Sequence, residues 1–157
     1  MSEEWLIDGY NLLHDFVSHN KNKIKASRDV LFGLLANFAS AGERSVMIVL
    51  DGKGRDEEFG SHNTKSFRAV YSQALSADSY IERYLYEKKA GSGMIVVTRD
   101  RAITLMARGG GARVIGTKEF LELLGSMKKD NEDILFKHKV DGHGFNRPFE
   151  DKLRDIL

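Results

Sequence analysis

Three separate stretches of this chain run apolar and then close on a carboxylate. They are Trp5-Leu6-Ile7-Asp8, Val46-Met47-Ile48-Val49-Leu50-Asp51, and Met94-Ile95-Val96-Val97 followed by Thr98-Arg99-Asp100. Short continuous apolar runs bounded by polar and glycine-rich punctuation read as strands buried on both faces, the kind found in parallel sheets. In a parallel sheet every strand's C-terminal end lies along one edge, so three Asp residues far apart in sequence are expected on a single rim. Few folds satisfy that condition.

The segments between the runs supply the covering layers. Val30, Leu31, Leu34, Leu35 and Phe38 recur at helical spacing within 27–41, with Gly42 just beyond. Leu12, Leu13 and Phe16 give a short apolar face ahead of a polar stretch over 18–25. A helix is expected over 77–89, burying Ile81 and Leu85 with Tyr84 beside them. Others are expected over 101–108, stopping at Gly109-Gly110-Gly111, and over 118–124. Strands are expected over 65–72, with Phe67, Ala69 and Tyr71 to one side, and over 113–115. This order predicts an α/β chain: a three-layer α/β/α sandwich around a mostly parallel sheet with right-handed crossovers.

A length of 157 residues suits one domain with a sizeable core. Residues 1–126 carry the periodic pattern. Residues 127–157 read as a solvated linker and a C-terminal helical extension packed on or near the same domain, with Pro148 where a first helical turn accepts it. The Gly- and charge-rich segment 52–63 reads as a long mobile loop, of a length that in compact domains is usually functional or disordered. With 24 basic and 23 acidic residues there is no global attraction to polyanions, so any nucleic-acid contact must be local. The absence of Cys excludes disulfides and thiolate metal sites. No apolar run approaches the roughly 18 to 20 residues of a membrane span, which predicts a soluble, cytoplasmic protein.

Asp78 opens the helix after the third strand and therefore starts near the same rim as Asp8, Asp51 and Asp100; Asn11 sits in the turn leaving the first strand. Taken singly, each has a plain structural role. A strand-end Asp is commonly a helix cap or turn former, Asp78 alone fits a cap, Asn11 can satisfy turn backbone, and Glu82 reads as a solvated residue. Together they raise an electrostatic problem, because two carboxylates about 5 Å apart repel by about 3 kcal/mol at an effective dielectric near 20. Protonation, a basic neighbour or a divalent cation relieves it. A set of hard oxygen donors favours Mg²⁺ or Mn²⁺, with Asp8, Asp51, Asp78 and Asp100 as candidate ligands. The five His lie in unrelated segments, and Gly52-Lys53-Gly54 lacks the spacing of a nucleotide-cradling loop. Lys53, Arg55, Lys65, Arg68, Arg99 and Arg101 flank the proposed rim in sequence and suit a grip on a phosphate backbone, although charge in loops also serves solvation.

The blocks Leu6-Ile7-Asp8-Gly9-Tyr10-Asn11-Leu12-Leu13, Val49-Leu50-Asp51-Gly52, Ala77-Asp78-Ser79-Tyr80-Ile81-Glu82 and Val96-Val97-Thr98-Arg99-Asp100-Arg101, in this order, resemble the NYN domain in its YacP-like branch, within the PIN-like nuclease superfamily. The similarity spans residues 4 to about 124, and Phe145-Asn146-Arg147-Pro148-Phe149-Glu150 resembles a signature of some members. The resemblance implies strand order 3-2-1-4-5 and a metal-dependent ribonuclease leaving a 5′-phosphate. By the same resemblance Asp8 is the central metal ligand, Asn11 a positioning residue, and Asp78 and Asp100 further ligands. Arg99 departs from the family pattern, which often has a small hydroxyl residue before the final Asp.

The expected function is therefore a Mg²⁺- or Mn²⁺-dependent endoribonuclease with Asp8, Asn11, Asp78 and Asp100 as its catalytic set and RNA as partner. The alternative is a non-hydrolytic RNA- or ribonucleoprotein-binding module of the same fold. A phosphatase or phosphoacceptor domain fits less well, because neither Asp8 nor Asp51 has a second Asp two residues on.

Overall fold

The computed structural model describes residues 3–20, 24–55, 63–89, 91 and 93–127. Its elements are β1 (Glu3–Asp8), α1 (Gly9–Asn20), α2 (Ile24–Ser40), β2 (Arg44–Leu50), β3 (Phe67–Tyr71), α3 (Ala77–Lys88), β4 (Met94–Val97), α4 (Arg101–Gly109) and β5 (Arg113–Ile115), followed by α5 over 117–127. The five strands form one parallel sheet in the order β3-β2-β1-β4-β5. The expected α/β class and strand order are therefore present. No helix among the described residues is long and apolar enough to cross a membrane. The expected linker and C-terminal helix beyond 127, the middle of the 52–63 loop, and His62, His138 and His143 lie outside the described residues.

Successive strand side chains point to opposite faces, and both faces are buried here. Trp5, Ile7, Val46, Ile48, Phe67 and Ile95 pack against α1, α2 and α5, where Trp5, Phe38 and Phe120 meet with ring centroids 5.0 to 5.5 Å apart. On the other face, Leu6, Met47, Val49, Val70 and Val96 pack against Ile81 and Leu85 of α3 and Ile103 and Ala107 of α4. Tyr84 is half-buried beside that second core. Asp8 continues the alternation of Leu6, which turns it toward the side covered by α3 and α4.

Element ends differ from expectation by a few residues. Helix α1 continues through the polar residues Ser18 to Asn20, and α2 begins at Ile24 rather than at residue 27. Lys and Ala, good helix formers, occupy the added turn of α2. Strand β3 begins at Phe67 because Thr64 folds the preceding chain into a turn, its hydroxyl accepting from the backbone N–H of Phe67 at 3.0 Å.

Candidate active site

Three strands deliver an Asp to the same edge, and each Asp meets the start of a helix there. Asp8 ends β1 directly before α1; it accepts from the backbone N–H of Asn11 at 3.4 Å and from the Asn11 side-chain amide at 2.9 Å. Asp100 caps α4, accepting from Ile103 N–H at 2.8 Å. Asp51 reaches across to α3 and accepts from Ala77 N–H at 2.9 Å. The cap-forming tendency of Asp and the convergence on one edge thus coexist. Asp78 is different. Ser76 is the N-cap of α3, and Asp78 sits in the first turn, exposed, with no hydrogen bond or ion pair to its carboxylate among the described residues.

Backbone geometry makes the approach possible. Gly9 is buried where β1 turns into α1, and a Cβ there would stand 2.5 Å from the Val49 carbonyl oxygen. Only glycine lets the helix start flush against β2. Gly52 follows Asp51 with φ of +121°, a conformation side chains disfavour. It anchors the turn by donating to the Ser72 hydroxyl at 3.1 Å.

The result is an open cleft of about 420 Å³ whose walls carry Asp8, Asn11, Asp51, Asp78, Asp100 and Arg99, with Tyr10 at its side. Asp8 is 2% exposed. Burial is the main reason its carboxyl titrates above the usual range; the charges of Asp78 and Asp100 push the same way, while the hydrogen bonds from Asn11 and Thr98 oppose them. Thr98 links two acids, its hydroxyl standing 3.4 Å from Asp8 and accepting from Asp100 N–H at 3.0 Å. Asp78 is also raised, first by desolvation at the cleft wall and then by Asp100 and Asp51. Desolvated carboxylates that repel one another across a cleft are a recurrent mark of a functional site.

The donor chemistry is that of a hard cation, but among the described residues no group of three or more His, Asp or Glu is placed to hold a metal ion. Glu82 is not among the cleft-lining residues.

The basic residues divide. Arg99 lines the cleft, and its Nη1 lies 3.1 Å from Asp15, an acid on α1 that is 3% exposed and also accepts from the Thr117 hydroxyl at the start of α5. Arg101 is exposed on the first turn of α4, next to Asp100; Lys53 and Arg55 are exposed just beyond Asp51. Lys65 and Arg68 do not flank the rim. They line a separate hollow with Glu4, Ser45 and Lys88, at the end where strands begin. A strand parallel to its neighbour must re-enter from the opposite edge, so residues just before β3 are carried away from the rim. Sequence reasoning passed over Asp15 and Tyr10. Asp15 looks like an ordinary helix-surface acid until α5 and Arg99 close over it, whereas Tyr10 was legible as an aromatic directly beside Asp8.

The model of the YacP-like NYN domain matches residues 5–157. The structure is similar to the crystal structure of Rae1 (YacP) from Bacillus subtilis at 22% identity, with a TM-score of 0.68 over 90% of this chain and 83% of that one. The W164L mutant of the same protein aligns at 19% identity and the same TM-score of 0.68, covering 99% and 92% of the two chains. No curated protein matches the sequence.

Proposed function

Starting from the YacP-like NYN domain family, to which this chain belongs and which has a PIN-like nuclease fold, we propose that the protein is a divalent-metal-dependent endoribonuclease. One observation carries this reading: four carboxyl groups, from the end of β1, the residue after β2, α3 and the β4–α4 turn, line one open cleft with the Asn11 amide of α1. The donors suit Mg²⁺ or Mn²⁺, with Asp8, Asp78 and Asp100 as principal ligands and Asp51 beside them. They line one open cleft, where a hard cation would be held by a few carboxylates with room left for water and substrate. Such an ion supplies Lewis acidity toward water and a counter-charge for the phosphodiester.

The chain's own groups do the rest. Asn11 fixes the carboxylate of Asp8 through two hydrogen bonds. The N-termini of α1, α3 and α4 turn partial positive charge toward the cleft, which favours a phosphate there. Arg99, braced by Asp15, presents the remaining donors of its guanidinium to a backbone phosphate. Lys53, Arg55 and Arg101 extend that grip along the same edge. The product carries a 5′-phosphate.

The test is to incubate the protein with single-stranded and structured RNA in Mn²⁺, in EDTA, and as Asp8→Asn. Cleavage that requires the ion and Asp8 supports the reading; cleavage indifferent to both rejects it. A second reading, a non-hydrolytic RNA-binding module, draws on the engagement of Asp8, Asp51 and Asp100 as partners of helix N-termini and on the lack of a three-ligand group among the described residues. RNA affinity retained in Asp8→Asn with no turnover in any metal would select it.

A further inference from the structure

Tyr10 is a large apolar side chain left open to solvent, 63% exposed, on the second residue of α1 and at the wall of the acidic cleft. One helical turn on, His14 stacks against it, with ring centroids 6.3 Å apart and planes 28° from parallel. Its Nδ1 lies 3.8 Å from the Asp15 oxygen that also binds Arg99, close enough for an ion pair whenever the imidazole is protonated. Two rings and a guanidinium thus gather around one buried acid at the side of a cleft suited to phosphate.

The aromatic pair has a face to offer and a reason to be exposed. Stacking on Tyr or His is how proteins hold nucleobases that have left a helix, and it tolerates any base because every base has a π-face. A base paired within a duplex has no free face to present. From this juxtaposition we propose that Tyr10, backed by His14, is the subsite for one unpaired nucleobase of the RNA whose phosphate lies in the cleft, so that the protein selects single-stranded substrate. The proposal rests on the ribonuclease reading for the identity of the strand, but it makes a separate claim. Asp8 and its neighbours act on the phosphate, whereas Tyr10 reads whether the adjoining base is free.

The experiment measures binding of a short single-stranded oligoribonucleotide, the same strand in a duplex, and a set of strands each lacking one base, in the full chain carrying Asp8→Asn so that nothing is cut. Adding Tyr10→Ala is expected to weaken the single strand about tenfold, on the scale of one base–aromatic stack, and to leave duplex binding unchanged. Tyr10→Trp restores the affinity. With Tyr10 present, removal of the base at one position weakens binding by a similar factor; in Tyr10→Ala that position no longer matters, as a pairwise contact requires. Equal affinity with and without Tyr10, equal loss on every strand, or no binding of any strand by the Tyr10-containing protein overturns the subsite. The two claims separate cleanly. Failure of the otherwise unmodified protein to cut RNA in Mn²⁺ removes the nuclease reading while the base-specific loss can still be scored, and Asp8-dependent cutting with no Tyr10 effect removes only the subsite.

Discussion

The two edges of this sheet carry hollows of comparable size, about 420 Å³ where the strands end and about 500 Å³ where they begin, yet they treat charge in opposite ways. At the beginning edge, charges are answered locally. The Tyr84 hydroxyl donates to Glu4, Arg113 lies 3.0 Å from Glu3, and Lys88 stands over the Tyr84 ring at 5.9 Å. Burial and the neighbouring Glu4 carboxylate hold the Tyr84 phenol well above its ordinary range, so it remains a donor. At the ending edge Asp8 and Asp78 face other acids, and among the described residues no Lys or Arg pairs with Asp8, Asp51, Asp78 or Asp100. The nearby guanidinium of Arg99 is tied to Asp15 instead. One edge is built for stability. The other keeps an electrostatic conflict that a ligand would resolve, and that contrast is open to test.

The largest effect is expected from Asp8→Asn. Cleavage of single-stranded RNA in Mn²⁺ should fall by about a hundredfold or more, the scale on which losing one preorganised electrostatic group lowers turnover. Full turnover in this variant would erase the distinction between the edges. Next comes the brace. Arg99→Ala should lower kcat/KM by about tenfold through loss of a charge-assisted phosphate contact. Asp15→Asn should do the same in part, by releasing the guanidinium without removing it. Equal kinetics in all three proteins would show that Arg99 serves only its pairing with Asp15.

The ending edge was also the more legible in the sequence, for a physical reason. Apolar runs closing on Asp fix both the strand and its direction, and parallel pairing then forces Asp8, Asp51 and Asp100 to one side without any knowledge of distances. Asp78 followed from the start of its helix. Lys65 and Arg68 are near Asp51 in sequence only, because β3 starts beside Val46, near the beginning of β2, and reaches the level of Leu50 only at Tyr71. Asp15 was invisible because its significance depends on Thr117 and Arg99, residues 102 and 84 positions away, meeting it after folding. The gap between a shared cleft and a true ligand cage could not be read either, since strand register sets placement only to within a side chain's reach.

Stability sharpens the contrast by a few degrees. Asp8 and Asp78 have folded-state pKa values raised above the unfolded ones, so each favours folding when protonated and loses that contribution as pH rises from the unfolded toward the folded value. In EDTA at pH 7, Asp8→Asn should therefore melt above the wild type. The gap should narrow as pH falls from the raised folded value of Asp8 toward about 4, and close below it, where both proteins carry a neutral group. Adding Mn²⁺ at about 100 times its Kd should stabilise the wild type by about 2.7 kcal/mol, and Asp8→Asn by much less. A variant that melts lower in EDTA at pH 7 would mean that the hydrogen bonds from Asn11 and Thr98 outweigh the desolvation of Asp8.

The smallest effect belongs to the beginning edge. Lys65→Ala combined with Arg68→Ala should change cleavage of a short oligonucleotide by less than about twofold, because exposed charges separated from the phosphate by more than a Debye length of about 8 to 10 Å are largely screened. The separation follows from the fold. Arg68 pairs with Met47 in the middle of β2, and two further residues on each strand intervene before Leu50 and Tyr71 reach the acidic rim, at about 3.3 Å per residue. A longer RNA sharpens the same measurement, since a strand that leaves the cleft along β3 would meet Lys65 and Arg68 only once it is long enough to cover that distance. A loss confined to long substrates would give the beginning edge an accessory hold on the chain leaving the cleft. An equal loss on short substrates would instead place these cations in the catalytic cleft and contradict the parallel register of β2 and β3.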